Sequence, residues 1–164
     1  MSTPHVTPEA TNAATNAVTN AVTNAATQVH IDDVSVGTEL PVVIRNASRV
    51  QLFLYSAATW NPHRIHYDAD YARFEGHPDV IVHGPLQGAW LSQYVTDWAG
   101  PVGRITTLSW QNRASALPET DYEFRGVVTA VDGDVVSLRV WEQTAAGDVL
   151  MPGEATVRLP RRSP

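Results

Sequence analysis

One predicted helix constrains the fold of this chain more than any other segment. It starts at His83-Gly84-Pro85, and Gly100-Pro101 ends it. A helix that carries many large apolar residues has to be buried against other elements rather than lie on the surface. The fold must therefore enclose this segment, whose apolar positions at helical spacing include Leu86, Ala89, Trp90, Tyr94 and Trp98.

The last third of the chain supplies a sheet that can enclose the helix. Residues 105–114, 122–131, 135–143 and 149–159 have the composition of strands. The turn signals Asp132-Gly133 and Ala146-Gly147-Asp148 predict hairpins between them. Residues 135–141 alternate between two sets of different polarity, which is typical of a sheet with one face more buried than the other.

The first half of the domain contributes shorter elements. Residues 40–45 predict a strand, Ser48 is a candidate cap for a helix through Tyr55, and residues 70–74 predict a helical turn. Residues 80–82 predict a short strand or an approach segment to the buried helix. The predicted class is α+β, with one long antiparallel sheet wrapped around one buried central helix.

The length of 164 residues suits one domain. A repeat of Thr-Asn-Ala-Ala/Val runs from Thr11 to Gln28, and we expect residues 1–28 to form a disordered leader. Residues 29–160 form the predicted domain, and residues 161–164 form a tail. The leader lacks the basic start and apolar core of a signal peptide, and no apolar run is long enough to cross a bilayer.

Composition excludes several classes of function. The net charge of −6 argues against a nucleic-acid or anionic-membrane partner. All 11 basic residues are arginines, so no lysine can form a Schiff base. The absence of cysteine excludes a thiolate nucleophile, a disulfide framework and a cysteine zinc site, and it favours a cytoplasmic location.

Polar and titratable side chains are concentrated in residues 59–68, which contain Asn61, His63, Arg64, His66 and Asp68. The second polar feature is the His-Gly-Pro turn at the start of the buried helix. A reaction at a carbonyl needs a proton carrier and backbone N–H groups that stabilise developing negative charge. The sequence therefore predicts a carbonyl-directed site that joins these two segments.

These two segments, in this order, resemble the MaoC-like hot-dog hydratases and dehydratases, which act on acyl thioesters. The family pattern has an aspartate five residues before its catalytic histidine. An ungapped alignment places His66 at the histidine and Asn61 at the aspartate. The segments are similar to the mesaconyl-C4-CoA hydratase and mitochondrial hydroxyacyl-thioester dehydratase branch. Residues 94–101 are similar to small subunits of actinobacterial steroid enoyl-CoA hydratases, which pair with a second hot-dog chain.

The resemblance implies reversible addition of water to a 2-enoyl thioester of CoA or a carrier protein, giving an (R)-3-hydroxyacyl thioester. His66 is then the proton carrier, because imidazole titrates near neutral pH. Asn61 is either a helper that orients water or an ordinary turn residue before Pro62. The backbone N–H at Gly84 is expected to face the thioester oxygen. The expected substrate contacts are His63, Arg64, His83, Pro85 and Leu86.

Several alternatives stay open at this point. Arg64 is expected to form an ion pair with Asp68 rather than to bind phosphate, and the five tryptophans are expected mainly in the core. A hot-dog thioesterase would need a carboxylate, for which Asp68 and Glu75 are the nearby candidates. The missing aspartate also permits a non-catalytic or half-catalytic subunit. No metal or cofactor is predicted, and a homodimer or a heteromer with another hot-dog chain is expected.

Overall fold

The computed structural model describes residues 27–162. The predicted leader at residues 1–28 therefore lies almost wholly outside the described residues, as does the end of the predicted tail. Gln28 is described and contacts the domain. Its side-chain amide donates to the backbone oxygen of Ala99 at 2.9 Å and accepts from the backbone N–H of Val102 at 2.8 Å.

The sheet has five strands: β1 Val43–Arg45, β2 Arg104–Trp110, β3 Tyr122–Asp132, β4 Val135–Gln143 and β5 Val149–Arg158. They pair antiparallel in the order β1-β3-β4-β5-β2. Hairpin turns join β3 to β4 and β4 to β5, where Gly133 (φ 62°) and Gly147 (φ 93°) adopt the left-handed conformation that glycine tolerates. The predicted hairpins are confirmed.

The sheet wraps around helix α3 (Gly84–Ala99). Leu91, Tyr94, Val95 and Ala99 on this helix are buried in the main core cluster. The facing side chains come from β3, β4 and β5, and they include Phe124, Val136, Leu138, Val140, Met151 and Val157. The predicted buried helix inside an antiparallel sheet is confirmed, and the alternation along β4 places Val136, Leu138 and Val140 on the core face.

Two further helices lie between β1 and α3. Helix α1 (Arg49–Ala58) is capped as predicted, because the Ser48 side chain accepts from the backbone N–H of Gln51. Helix α2 (Ala69–Phe74) is capped by Asp68. Between them, Arg64–His66 form one 3₁₀ turn. Residues 80–82 form an approach segment without strand assignment, which the backbone bond from Ile81 N–H to Ile65 O attaches to that turn.

Two expectations are wrong in detail. The strand predicted over residues 105–114 ends at Trp110, where its partner β5 reaches Pro152. Pro152 accepts from the N–H of Gln111 but has no N–H to return, so the reciprocal bond of a regular ladder is missing at this point. Trp60 is 89% exposed and therefore does not belong to the core. No helix among residues 27–162 has the length and apolar character needed to cross a membrane.

Candidate active site

His66 lies at the end of the 3₁₀ turn, with only 7% of its surface exposed. Its Nδ1 lies 2.9 Å from the backbone oxygen of Ile81. A carbonyl oxygen can only accept, so Nδ1 carries the proton in the neutral ring and donates it to this bond. Nε2 has no hydrogen-bond partner among residues 27–162, so its lone pair is available. The approach segment therefore fixes the tautomer that a general base requires.

His83, directly before α3, stacks face to face on His66. The ring centroids are 3.6 Å apart and the planes differ by 18°. The Nε2 atom of His83 lies 2.9 Å from the hydroxyl of Ser56 on α1. His83 has no exposed surface, and its Nδ1 has no hydrogen-bond partner among the described residues. His83 therefore packs against the His66 ring and holds it in place.

Burial keeps both imidazoles neutral. Desolvation lowers the pKa of His66 below its ordinary 6.5, and the nearby His63 and His77 lower it further, while the bond to Ile81 opposes the shift. Desolvation, followed by the proximity of His66, lowers the pKa of His83 to about 4. Near neutral pH the stacked pair therefore carries no charge, and His66 is ready to accept a proton.

Gly84 is the first residue of α3 and lies next to this pair. Its N–H donates to no backbone or side-chain acceptor among residues 27–162, whereas the N–H groups of Leu86 and Gln87 both bond to His83 O. A free N–H at the start of a helix is suited to stabilise a negatively charged oxygen. The structure therefore places an available donor beside the proposed base.

Asn61 and His63 lie in the segment that leads into the 3₁₀ turn of His66. The side-chain oxygen of Asn61 accepts from the backbone N–H of His63 at 3.3 Å. The backbone N–H of Asn61 donates to Ser56 O. This is the local geometry of an Asx turn. The ring of His63 lies 6.3 Å from that of His66 and is exposed. The turn role of Asn61 is thus present, and its role with water stays a prediction.

The other predicted substrate contacts, Arg64, Pro85 and Leu86, lie in three different environments. Arg64 forms the expected ion pair with Asp68, with Nε at 3.1 Å, and its guanidinium lies 4.5 Å from the Tyr71 ring centroid. The pKa of Asp68 is lowered by this bond. Pro85 is exposed in the first turn of α3, whereas Leu86 is buried in a second core cluster. Leu86 therefore packs the helix in place.

A hydrogen-bonded line of three polar side chains, Glu142, Gln87 and Asn112, runs from the core to Gly84 and was not predicted from the sequence. The Oε2 atom of Glu142 accepts from the amide of Gln87 at 2.8 Å. The oxygen of Gln87 accepts in turn from the amide of Asn112 at 3.2 Å. Glu142 has no exposed surface, and its Oε1 has no partner among the described residues. The alternation Val136, Leu138, Val140 extends to Glu142, and this pattern was the available signal.

The Glu142 carboxyl should make the fold less stable as pH rises. Burial raises its pKa to about 7, against the lowering effect of the Gln87 bond, from an ordinary value of 4.5. Because the folded state holds this proton more tightly, stability is highest below pH 4.5 and falls as pH rises through 7. A pKa difference of this size is worth about 3 kcal/mol.

We therefore expect Glu142→Gln to raise the free energy of unfolding at pH 8 by up to ~3 kcal/mol relative to the native chain, with a much smaller difference at pH 4.5. Urea unfolding of both proteins at the two pH values measures this. Parallel pH dependence in the two proteins would contradict it.

Residues 27–162 contain no group of three or more His, Asp or Glu side chains arranged to hold a metal ion. The groups that the site presents are a neutral imidazole, a helix N-terminal N–H and nearby amides. This set is suited to proton transfer next to a carbonyl.

Known proteins that are similar to this chain are hydratases and dehydratases. A family model described as hydroxyacyl-thioester dehydratase type 2 matches residues 5–118. The 3-oxo-4,17-pregnadiene-20-carboxyl-CoA hydratase beta subunit of Mycobacterium tuberculosis is 28% identical over 127 residues, which are 77% of this chain and 96% of that protein. The mesaconyl-C(4)-CoA hydratase of Chloroflexus aurantiacus is 61% identical over 36 residues, 21% of this chain and 13% of the relative.

The fold also matches solved structures. An (R)-hydratase from A. caviae, involved in PHA biosynthesis, superposes with a TM-score of 0.71 at 21% identity, covering 78% of this chain and 98% of that one. At this level of identity the match concerns the fold. The predicted hot-dog fold is confirmed.

Proposed function

Because the chain belongs to the hydroxyacyl-thioester dehydratase type 2 family, a family of hydratases and dehydratases, we propose that it adds water reversibly to a 2-enoyl thioester to give the (R)-3-hydroxyacyl thioester. The observation that carries this proposal is the neutral, buried His66. Its Nδ1 is committed to Ile81, its Nε2 is available, and the free N–H of Gly84 lies at the adjacent helix start.

In the hydration direction, Nε2 of His66 takes a proton from water as the water oxygen bonds to Cβ of the substrate. The electron pair of the double bond moves toward the thioester, whose oxygen gains negative charge. The Gly84 N–H and the N-terminus of α3 stabilise that charge. His66 then returns its proton to Cα, so that one molecule of water has been added and the base is regenerated.

Asn61 occupies the place of the usual aspartate and has no carboxylate that can take a proton. We propose that it orients the water through its amide while His66 transfers the protons. The Asx turn supports this role, because the bond to the His63 N–H fixes the Asn61 oxygen and leaves its NH₂ group free to donate.

An ultraviolet assay with the purified protein tests the proposal. Hydration removes the conjugated double bond of a 2-enoyl-CoA, so the enoyl absorbance should fall without release of free thiol. Saturated acyl-CoA of the same length is the control, because thiol release from it would support a thioesterase instead. The structure gives the thioesterase little support, since Asp68 is engaged by Arg64 and by the N–H of Tyr71.

The rate should depend on pH through the free base. His66 must be neutral to accept a proton, and its pKa lies below 6.5. We expect kcat/KM to fall as pH decreases, with a midpoint below 6.5, and His63→Gln should move that midpoint upward because one lowering influence is removed. Initial rates measured over about two pH units on either side of the pKa of free imidazole test this. A midpoint clearly above that of free imidazole would argue against His66 as the base.

We further propose that the chain works as a dimer, either with itself or with another hot-dog chain. The edge strands β1 and β2 each have one side without a partner strand among the described residues, and the relative from Mycobacterium tuberculosis is named a beta subunit. Light scattering of the purified protein, together with its activity alone, distinguishes the two assemblies.

A cytoplasmic location is also proposed, supported by the absence of cysteine.

A further inference from the structure

Asn112 lies directly over the start of α3. A Cβ atom built on Gly84 would lie 2.9 Å from Oδ1 of Asn112, so the amide covers the place that a side chain would fill. Gly84 is the residue whose N–H is free for the thioester oxygen. A substrate whose carbonyl reaches that N–H must therefore pass beside the Asn112 amide.

The orientation of this amide is determined by its neighbours. Its NH₂ group donates to Gln87 Oε1 at 3.2 Å and contacts the Met151 sulfur at 3.6 Å. Gln87 must present its oxygen to Asn112, because its own NH₂ group donates to Glu142. The Asn112 amide therefore lies over Gly84 with its oxygen nearest, because Oδ1 is 2.9 Å and Nδ2 is 3.3 Å from the Cβ position of Gly84. This oxygen accepts no hydrogen bond from the described residues.

An unused amide oxygen at this position is suited to a substrate N–H. In a thioester of CoA or of a carrier protein, the first amide N–H of the pantetheine-type arm lies two carbons beyond the sulfur. Resting on the function proposed above, we infer that the Asn112 oxygen accepts a hydrogen bond from this N–H and so recognises the arm. Gln87 and Glu142 are positioning residues that act through Asn112.

Burial of Glu142 supports this inference. A fully buried carboxyl with one unpartnered oxygen is costly, and such groups in native proteins usually serve a purpose. Here Oε2 of Glu142 accepts from the Gln87 NH₂ group and so fixes the orientation of the Gln87 amide. That orientation in turn determines which atom of Asn112 bonds to Gln87.

Three substrates with the same enoyl group test the inference: the CoA thioester, the N-acetylcysteamine thioester, which keeps the first amide, and the S-ethyl thioester, which has none. Asn112→Leu should lower kcat/KM about 10-fold for the first two, as expected for one lost hydrogen bond, and leave the third unchanged. Gln87→Met should show the same selectivity, which a merely structural role would not produce. Gln111→Leu, at an exposed neighbour bonded to Arg113, is the matched control and should leave all three rates unchanged.

Each outcome decides the question. Equal losses with all three thioesters, or no loss with any, would overturn the role of Asn112 while the hydratase function stands. A native protein inactive with all three would overturn the proposed function and this inference with it. Thermal melts of the variants separate unfolding from a specific loss.

Discussion

Replacing His66 with alanine is expected to lower kcat by about 100-fold or more, the usual scale for loss of a general base. The described geometry gives no replacement for it. The stacked His83 has no exposed surface, its Nε2 is engaged by Ser56, and Asn61 cannot take a proton. Initial rates of enoyl hydration with saturating substrate measure the effect.

The variant His63→Ala is the control for this prediction. His63 is exposed, and its ring lies 6.3 Å from His66, so its removal should change the pH midpoint rather than remove the base. A His66→Ala protein that retained near-native turnover would refute the assignment, and a half-catalytic subunit would then be the better description.

Replacing Gly84 with alanine is expected to reduce kcat/KM by about 10-fold or more with only a small loss of stability. The new methyl group would lie 2.9 Å from Oδ1 of Asn112 and 3.1 Å from its Cγ. Asn112 is a flexible side chain and moves aside, so the fold tolerates the change. The methyl group then narrows the approach of the thioester oxygen to the N–H, and Asn112 loses its position beside the arm.

The opposite pattern is expected for Gly133→Ala in the β3–β4 turn. Space is available there, but the φ of 62° strains alanine, so the melting temperature should fall while the rate is kept. Initial rates and melting temperatures of Gly84→Ala and Gly133→Ala, measured side by side, test both expectations. Native activity in Gly84→Ala would show that the helix start does not approach the substrate.

Local patterns predicted most of the fold. The bounds of α3, the strands β3, β4 and β5 and their two hairpin turns agree closely with the sequence, because helical spacing, alternation and turn residues act over short distances. The prediction for β2 extended too far, because the effect of Pro152 depends on which strand pairs with it. Trp60 was expected in the core on its residue type alone, yet its position after α1 leaves it in solvent.

The candidate site was predicted only in part. The segments that contain His66 and Gly84 were identified, and so was the ion pair between Arg64 and Asp68. The line formed by Gln87, Asn112 and Glu142 was missed, because its members come from a helix, a loop and a strand that only the folded chain brings together.

The sequence by itself determined which elements form and which residue types are available for chemistry, since both follow from the local order of side chains. The tertiary structure decided the stacking of His66 on His83, the free Nε2 and the lowered pKa. These properties depend on burial and on the Ile81 carbonyl, which packing of the approach segment brings to the ring. An imidazole becomes a defined base only when its second nitrogen is bound and water is excluded.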